Sequence, residues 1–98
     1  MKSGGWVVAA EGWFMTFSKF MQTHFLKTPA ALTIAGSDSG SGAGIQADLK
    51  TFFSLNVFGT SVITCITAQN PDKINGIESV SPNMVSLQIK TVCNGFHV

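Results

Sequence analysis

The chain has 98 residues and a formal net charge of +1, with 11% charged and 45% hydrophobic residues. An average soluble domain carries about 25% charged residues, and a small domain needs solvated side chains over a large surface, so this composition suits the interior of a larger domain. The near-neutral charge and the lack of a basic stripe exclude electrostatically driven nucleic-acid binding, and no apolar run reaches the roughly 18 residues that cross a bilayer.

Residues 1–28 hold Trp6, Trp13, Phe14, Phe17, Phe20 and Phe25, with Glu11 as the only acid. Phe14, Phe17, Met21 and Phe25 recur at helical spacing and predict a short amphipathic helix. Few acids and several lysines fit an organelle-directed leader. Against this, arginine is missing, and Glu11, Lys19 and Gln22 break up any secretory apolar core. The segment reads as an extension ahead of the domain, with Met21 as a sensible alternative start.

From Ala31 the pattern becomes regular. Ala31 to Ala35 is a short apolar run ending at Gly36, and it predicts a parallel strand buried on both faces. A loop of small residues follows, Gly36 to Gly44. Ile45, Leu49, Phe52 and Phe53 then fall at i, i+4, i+7 and i+8, one face of a helix that should end near Asn56. Thr60 to Ala68 is rich in β-branched residues and predicts a second buried strand. Strand, loop, helix and strand in this order make a βαβ unit with a right-handed crossover.

Gln69-Asn70-Pro71-Asp72 is turn chemistry, and Ile74 to Val80 reads as a short extended stretch. Ser81 as N-cap and Pro82 at the first helical position open a second helix. Its apolar face is Val85, Ile89 and Val92, and Gly95 signals its end. Cys65 and Cys93 lie far apart without a CxxC spacing and read as buried, reduced core thiols. Neither His24 nor His97 has a Cys, Asp or Glu at ligand spacing, so no metal site is expected.

The loop carries the chemistry. Small residues between a strand and a helix let a ligand approach the backbone, and the following helix offers free N–H groups. A dinucleotide fingerprint would need a third glycine where Ile45 stands, and a ribose-binding acid that does not follow. A phosphate loop would need a Gly-Lys-Ser/Thr ending, and no lysine occurs between Lys27 and Lys50.

A longer match exists. Ala31-Leu-Thr-Ile-Ala-Gly-Ser-Asp-Ser-Gly-Ser-Gly-Ala-Gly-Ile-Gln-Ala-Asp-Leu-Lys-Thr-Phe52 resembles the N-terminal signature of the hydroxymethylpyrimidine/phosphomethylpyrimidine kinase family of thiamine biosynthesis. Gly59 to Asn70 resembles that family's second strand and its end, and Pro82 to Val92 its next helix. The resemblance covers about residues 30–96. It departs in the loop, where the family commonly reads Ser-Gly-Gly-Ala-Gly and this chain reads Gly40-Ser41-Gly42-Ala43-Gly44, still all small.

The resemblance implies an α/β fold: a ribokinase-like three-layer α/β/α domain with a mainly parallel sheet. Residues 29–98 would supply its N-terminal βαβα portion. It also implies Mg-ATP as cosubstrate, a cytoplasmic enzyme (organellar if the leader is a transit peptide), a possible homo-oligomer, and the substrate 4-amino-5-hydroxymethyl-2-methylpyrimidine or its monophosphate.

Gln69 ends the second strand, where open α/β sheets place ligands. Its amide has one acceptor and two donors, which match an aminopyrimidine edge. Asp48, by resemblance, accepts a hydrogen bond from the hydroxymethyl group. Gly36 brings its backbone near the ring, and Thr67 lies two residues before Gln69 on the same strand face. Gly42 and Gly44 shape the loop.

In the family the nucleotide site, the anion hole and the catalytic base come from the C-terminal half. No catalytic residue is therefore expected in this chain, which reads as an inactive substrate-binding fragment. Two alternatives stay open: a non-catalytic pyrimidine-binding module, and part of a pyridoxal-type vitamin kinase.

Overall fold

The structure is a computed structural model that describes residues 28–98. The predicted aromatic helix and the leader reading fall outside the described residues, except at Thr28. Five elements follow in order: β1 (Ala30–Asp38), α1 (Gly44–Ser54), β2 (Phe58–Gln69), β3 (Ile74–Ser79) and α2 (Pro82–Gly95). They form one mixed sheet in the order β1-β2-β3 with two helices.

β1 and β2 pair in parallel, from Ala30 opposite Phe58 to Asp38 opposite Thr67, with an irregularity between Ala35 and Ser37. This is the expected βαβ unit, with α1 as the crossover. β1 does not stop at Gly36; it continues through it to Asp38. β3 makes the extended stretch a real strand, antiparallel to β2, with Cys65 opposite Ser79 and Gln69 opposite Ile74. A tight turn makes that reversal. The Asn70 side-chain oxygen accepts the N–H groups of Asp72 (2.9 Å) and Lys73 (3.1 Å), an Asx turn that bends the chain back on itself.

The two helices lie on opposite faces of the sheet. Under α1, Asp48 meets Thr33, and Leu49 and Phe52 press so closely on Gly59 that a β-carbon there would lie 2.8 Å from Leu49. Phe58, one residue earlier and so on the other face, stacks on Phe96 just beyond α2, with ring centroids 5.4 Å apart. Between these layers Val62 is fully enclosed and Ile45 nearly so.

α2 begins as expected, with the Ser81 hydroxyl accepting the Met84 N–H at 3.2 Å and proline in the first turn. Its inward stripe is Val85, Gln88, Ile89 and Val92, all half-buried.

Three local expectations change. Phe53 is 67% exposed, because it lies about 100° around the helix from Phe52 and misses the sheet. Ile34 is 52% exposed, so β1 is not buried on both faces; α2 packs on β2 and not on β1. The two cysteines are free, but Cys65 is half-buried and Cys93 exposed, since Cys93 follows the inward Val92 and turns away from the sheet.

Candidate functional site

The site residues gather at the end of the parallel strands where β1 turns into the loop and β2 into the hairpin. Asp38, the last residue of β1 and only 6% exposed, organises the loop. Its Oδ1 accepts the Gly40 N–H at 2.7 Å, and its Oδ2 accepts those of Gly42 at 3.0 Å and Ala43 at 2.9 Å. Its backbone oxygen accepts the Ser41 N–H at 3.0 Å. A carboxylate thus fills the ring of N–H groups that a bound anion would otherwise take. The loop is ordered by its own side chain, and the N–H groups of Gly40, Gly42 and Ala43 are taken before the helix begins.

Gln46, in the first turn of α1, ties that helix to β1. Its Oε1 accepts the Asp38 N–H at 2.9 Å, and its Nε2 donates to Ser37 Oγ at 2.8 Å. Gly44 lets the loop enter the helix. It has φ +60, and a β-carbon there would lie 2.3 Å from the Gly36 carbonyl oxygen. Only glycine meets both demands, a left-handed backbone and contact with another backbone. Gly36 is hemmed in as well, since a β-carbon on it would come within 2.7 Å of Cys65 Sγ.

Thr67 and Gln69 share one face of β2, two residues apart. The Thr67 hydroxyl lies 2.9 Å from the Ser37 carbonyl oxygen and 3.1 Å from Gln69 Oε1, so its one proton serves either acceptor. Among the described residues nothing accepts from Gln69 Nε2, and that atom is not buried. The amide therefore keeps a free donor and a spare lone pair. The Gln69 backbone is fixed differently: Ser39 Oγ accepts its N–H at 2.6 Å and donates to its carbonyl at 2.6 Å.

Asp48 lies on the α1 face, where its Oδ2 accepts the Thr33 hydroxyl at 2.5 Å. Its other carboxylate oxygen has no donor among the described residues. No hydrogen bond joins Asp48 to Gln69. The structure thus brings Gly36, Gly44, Thr67 and Gln69 together around one strand end, with Gly42 in the adjoining loop, and sets Asp48 one helical turn behind it.

Asp38, Ser39 and Gln46 are the organisers that the sequence did not single out. The readable signal for Asp38 was an aspartate with glycines two and four residues on. No comparable pattern marked Ser39 or Gln46.

Asp38 occupies the loop N–H groups and would repel a phosphate, and Lys50, the nearest following cation, donates at 3.0 Å to the Ser41 carbonyl. No cluster of three or more His, Cys, Asp or Glu among the described residues could hold a metal ion. No helix among them is long and apolar enough to cross a membrane.

The chain resembles known proteins along this same stretch. Residues 38–98, more than half of it, match the family described as phosphomethylpyrimidine kinase. It is 58% identical over 71 residues to the hydroxymethylpyrimidine/phosphomethylpyrimidine kinase of Rhizobium meliloti (strain 1021), a match that takes in 72% of this chain and 27% of that protein.

The crystal structure of the Clostridium difficile 630 phosphomethylpyrimidine kinase superposes with a TM-score of 0.65 at 51% identity, over 68% of this chain and 29% of that one. An ADP complex of Bacillus subtilis pyridoxal kinase superposes with a TM-score of 0.66 at 42% identity, over 72% and 27%. The chain thus spans about a quarter of the length of the relatives it matches.

Proposed function

Because this chain belongs to the phosphomethylpyrimidine kinase family, whose curated members are named hydroxymethylpyrimidine/phosphomethylpyrimidine kinases, we propose that it is the substrate-recognising part of such an enzyme, acting in thiamine biosynthesis. The observation that carries this reading is the Gln69 amide. It stands at the end of β2 with a free Nε2 donor and a spare lone pair on Oε1, next to the Thr67 hydroxyl that also reaches the Ser37 carbonyl. An aminopyrimidine edge presents an amino donor next to a ring-nitrogen acceptor, and a glutamine amide answers both. The Thr67 hydroxyl, 3.1 Å from Oε1, is able to donate to the amide. The open oxygen of Asp48 is the acceptor proposed for the substrate hydroxymethyl group, while Thr33 keeps the other oxygen in place.

ATP with magnesium is the proposed phosphoryl source for the whole enzyme. When bound, that pair supplies the transferred phosphate. The residues of this chain do not cradle it; they bind and orient the acceptor. By itself the 98-residue chain is proposed to transfer no phosphate. A second reading is a pyridoxal-type vitamin kinase, favoured by the superposition on the Bacillus subtilis enzyme. A third, a pyrimidine-binding module without catalysis, uses the same pocket.

The test is a graft. Residues 30–96 replace the matching segment of the Rhizobium meliloti kinase, and phosphorylation of hydroxymethylpyrimidine and of pyridoxal is measured, for the graft and for the isolated chain. The expected outcome is turnover of the pyrimidine by the graft and none by the chain alone. A graft that prefers pyridoxal favours the second reading. Turnover by the isolated chain overturns the division of labour. Within the graft, Asp48→Asn should weaken the acceptance of the hydroxyl and so harm the hydroxymethyl substrate more than its monophosphate.

A further inference from the structure

β1 and β2 stay in register up to Asp38 opposite Thr67. There the β1 backbone leaves the sheet, turned by the Ser41 N–H on the Asp38 carbonyl. The next rung of β2 on that edge is Gln69, and no strand backbone remains to meet it. A single hydroxyl takes the strand's place. Ser39 Oγ receives the Gln69 N–H and returns its own proton to the Gln69 carbonyl, both at 2.6 Å. One oxygen thus closes the rung that a neighbouring strand would have closed with two groups.

The hydroxyl is itself held firmly. Ser39 follows Asp38, whose carboxylate takes three loop N–H groups and whose own N–H is bound by Gln46 of α1. A continuous path of bonds runs from the helix through Gln46 and Asp38 to Ser39 and ends on the Gln69 backbone. On the other side of Gln69 the constraint is looser. The β2–β3 pairing is irregular between Ala68 and Gln69, and every residue of β3 is exposed.

We infer that Ser39 is a positioning residue for substrate recognition: its hydroxyl fixes the Gln69 backbone so that the side-chain amide meets the aminopyrimidine edge in one orientation. The inference rests on the reading of Gln69 as the pyrimidine-binding residue. In this role Ser39 acts through Gln69, whose backbone N–H and carbonyl it holds. A recognition group must be held to about 0.5 Å to be productive, and a strand's last residue frays without such a partner.

The test uses the full 98-residue chain, with amide exchange and a titration with 4-amino-5-hydroxymethyl-2-methylpyrimidine both followed by NMR. The variants are Ser39→Ala, Ser39→Thr and Gln69→Ala. In Ser39→Ala the Gln69 backbone N–H should exchange at least about tenfold faster and pyrimidine affinity should fall about tenfold. The loop N–H groups of Gly42 and Ala43 should keep their protection. Ser39→Thr restores the hydroxyl and should restore both readouts, which a general loosening of the loop would not do.

Unchanged exchange at Gln69 in Ser39→Ala overturns the inference. So does faster exchange with undiminished affinity, since the lock would then not serve recognition. If the parent chain and Gln69→Ala both fail to bind pyrimidine while exchange responds as expected, the substrate reading fails and the lock itself is upheld.

Discussion

Two places on β2 lose a neighbouring strand, and a side chain closes each gap. At Gln69 the closure is one serine hydroxyl on an exposed loop. At Ile63, beyond the end of β3, it is the Gln88 amide of α2. Its Oε1 accepts the Ile63 N–H and its Nε2 donates to the Ile63 carbonyl, both at 2.9 Å. The serine closure is small, solvated and next to the proposed pocket. The glutamine closure is half-buried between helix and sheet and lies on the β3 side of β2, away from the β1 edge that Ser39 closes.

The same backbone demand, that every N–H and C=O find a partner, is thus met in two ways with different consequences. Losing the half-buried closure leaves two groups unpaired under a helix, where water reaches them poorly, and costs stability. Losing the exposed closure lets water in and costs geometry. Gln88 holds the fold together, and Ser39 holds Gln69 still.

Four substitutions test that division, from the largest expected effect to the smallest. Gly44→Ala attacks the loop that carries Ser39. The left-handed backbone alone costs about 1–2 kcal/mol with a side chain, and the clash with the Gly36 carbonyl adds to it. A loss of more than about 3 kcal/mol in denaturant unfolding is expected; a loss below about 1 kcal/mol would mean that the loop can move away cheaply.

Gln88→Ala leaves the Ile63 N–H and C=O unpaired, and should cost about 2 kcal/mol in the same assay while pyrimidine affinity stays within about twofold. A variant that keeps its stability would show that water or a neighbour replaces the amide, and the contrast with Ser39 would lose its ground.

Asp38→Asn leaves one oxygen where there were two, and turns an NH2 group toward loop N–H donors. Thermal unfolding should report a loss of about 1–2 kcal/mol, and because the loop carries Ser39, pyrimidine affinity should drop as well. Ser39→Ala should cost less than about 1 kcal/mol of stability, because its partners stay open to water. Its effect should appear in binding instead. Equal stability losses for Ser39→Ala and Gln88→Ala would erase the distinction between a lock and a brace.

The βαβ frame was readable because its signals are local. Ile45, Leu49 and Phe52 repeat at helical period, and Thr60 to Ala68 is dense in β-branched residues. The Ser81-Pro82 cap marks α2 to the residue. Glycine was readable in kind, since a loop of small residues announces close backbone approach, although only the fold says that Gly44 lies against the Gly36 carbonyl.

The antiparallel pairing of β3 was not legible. Ile74 to Ser79 mixes apolar and polar residues without clear alternation, and its partner is fixed by an Asx turn on Asn70 rather than by its own pattern. Gln88 was legible only as an oddity, a polar residue inside the stripe of Val85, Ile89 and Val92. Its partner is a backbone 25 residues away, and no local rule points there. Asp38, Ser39 and Gln46 were hidden for a related reason. Their role is to satisfy backbone groups of the loop and of the β2 end, and that need appears only once the strands are placed. The proposed pocket was placed at Gln69 and Thr67 by the family resemblance and by the rule that a strand end in an open α/β sheet is a general ligand position.

In the proposed reading Gln69 stands at the centre of pyrimidine recognition by this part of a kinase. The most direct measurement is steady-state kinetics of Gln69→Ala in the grafted Rhizobium meliloti enzyme. Removing an acceptor and a donor from the aminopyrimidine edge costs roughly 1–3 kcal/mol for each group left unpaired. The KM for hydroxymethylpyrimidine should therefore rise about tenfold or more, with the KM for ATP nearly unchanged. If the variant and the parent graft bind the pyrimidine equally well, Gln69 does not read the substrate, and the site must be sought elsewhere in the fold.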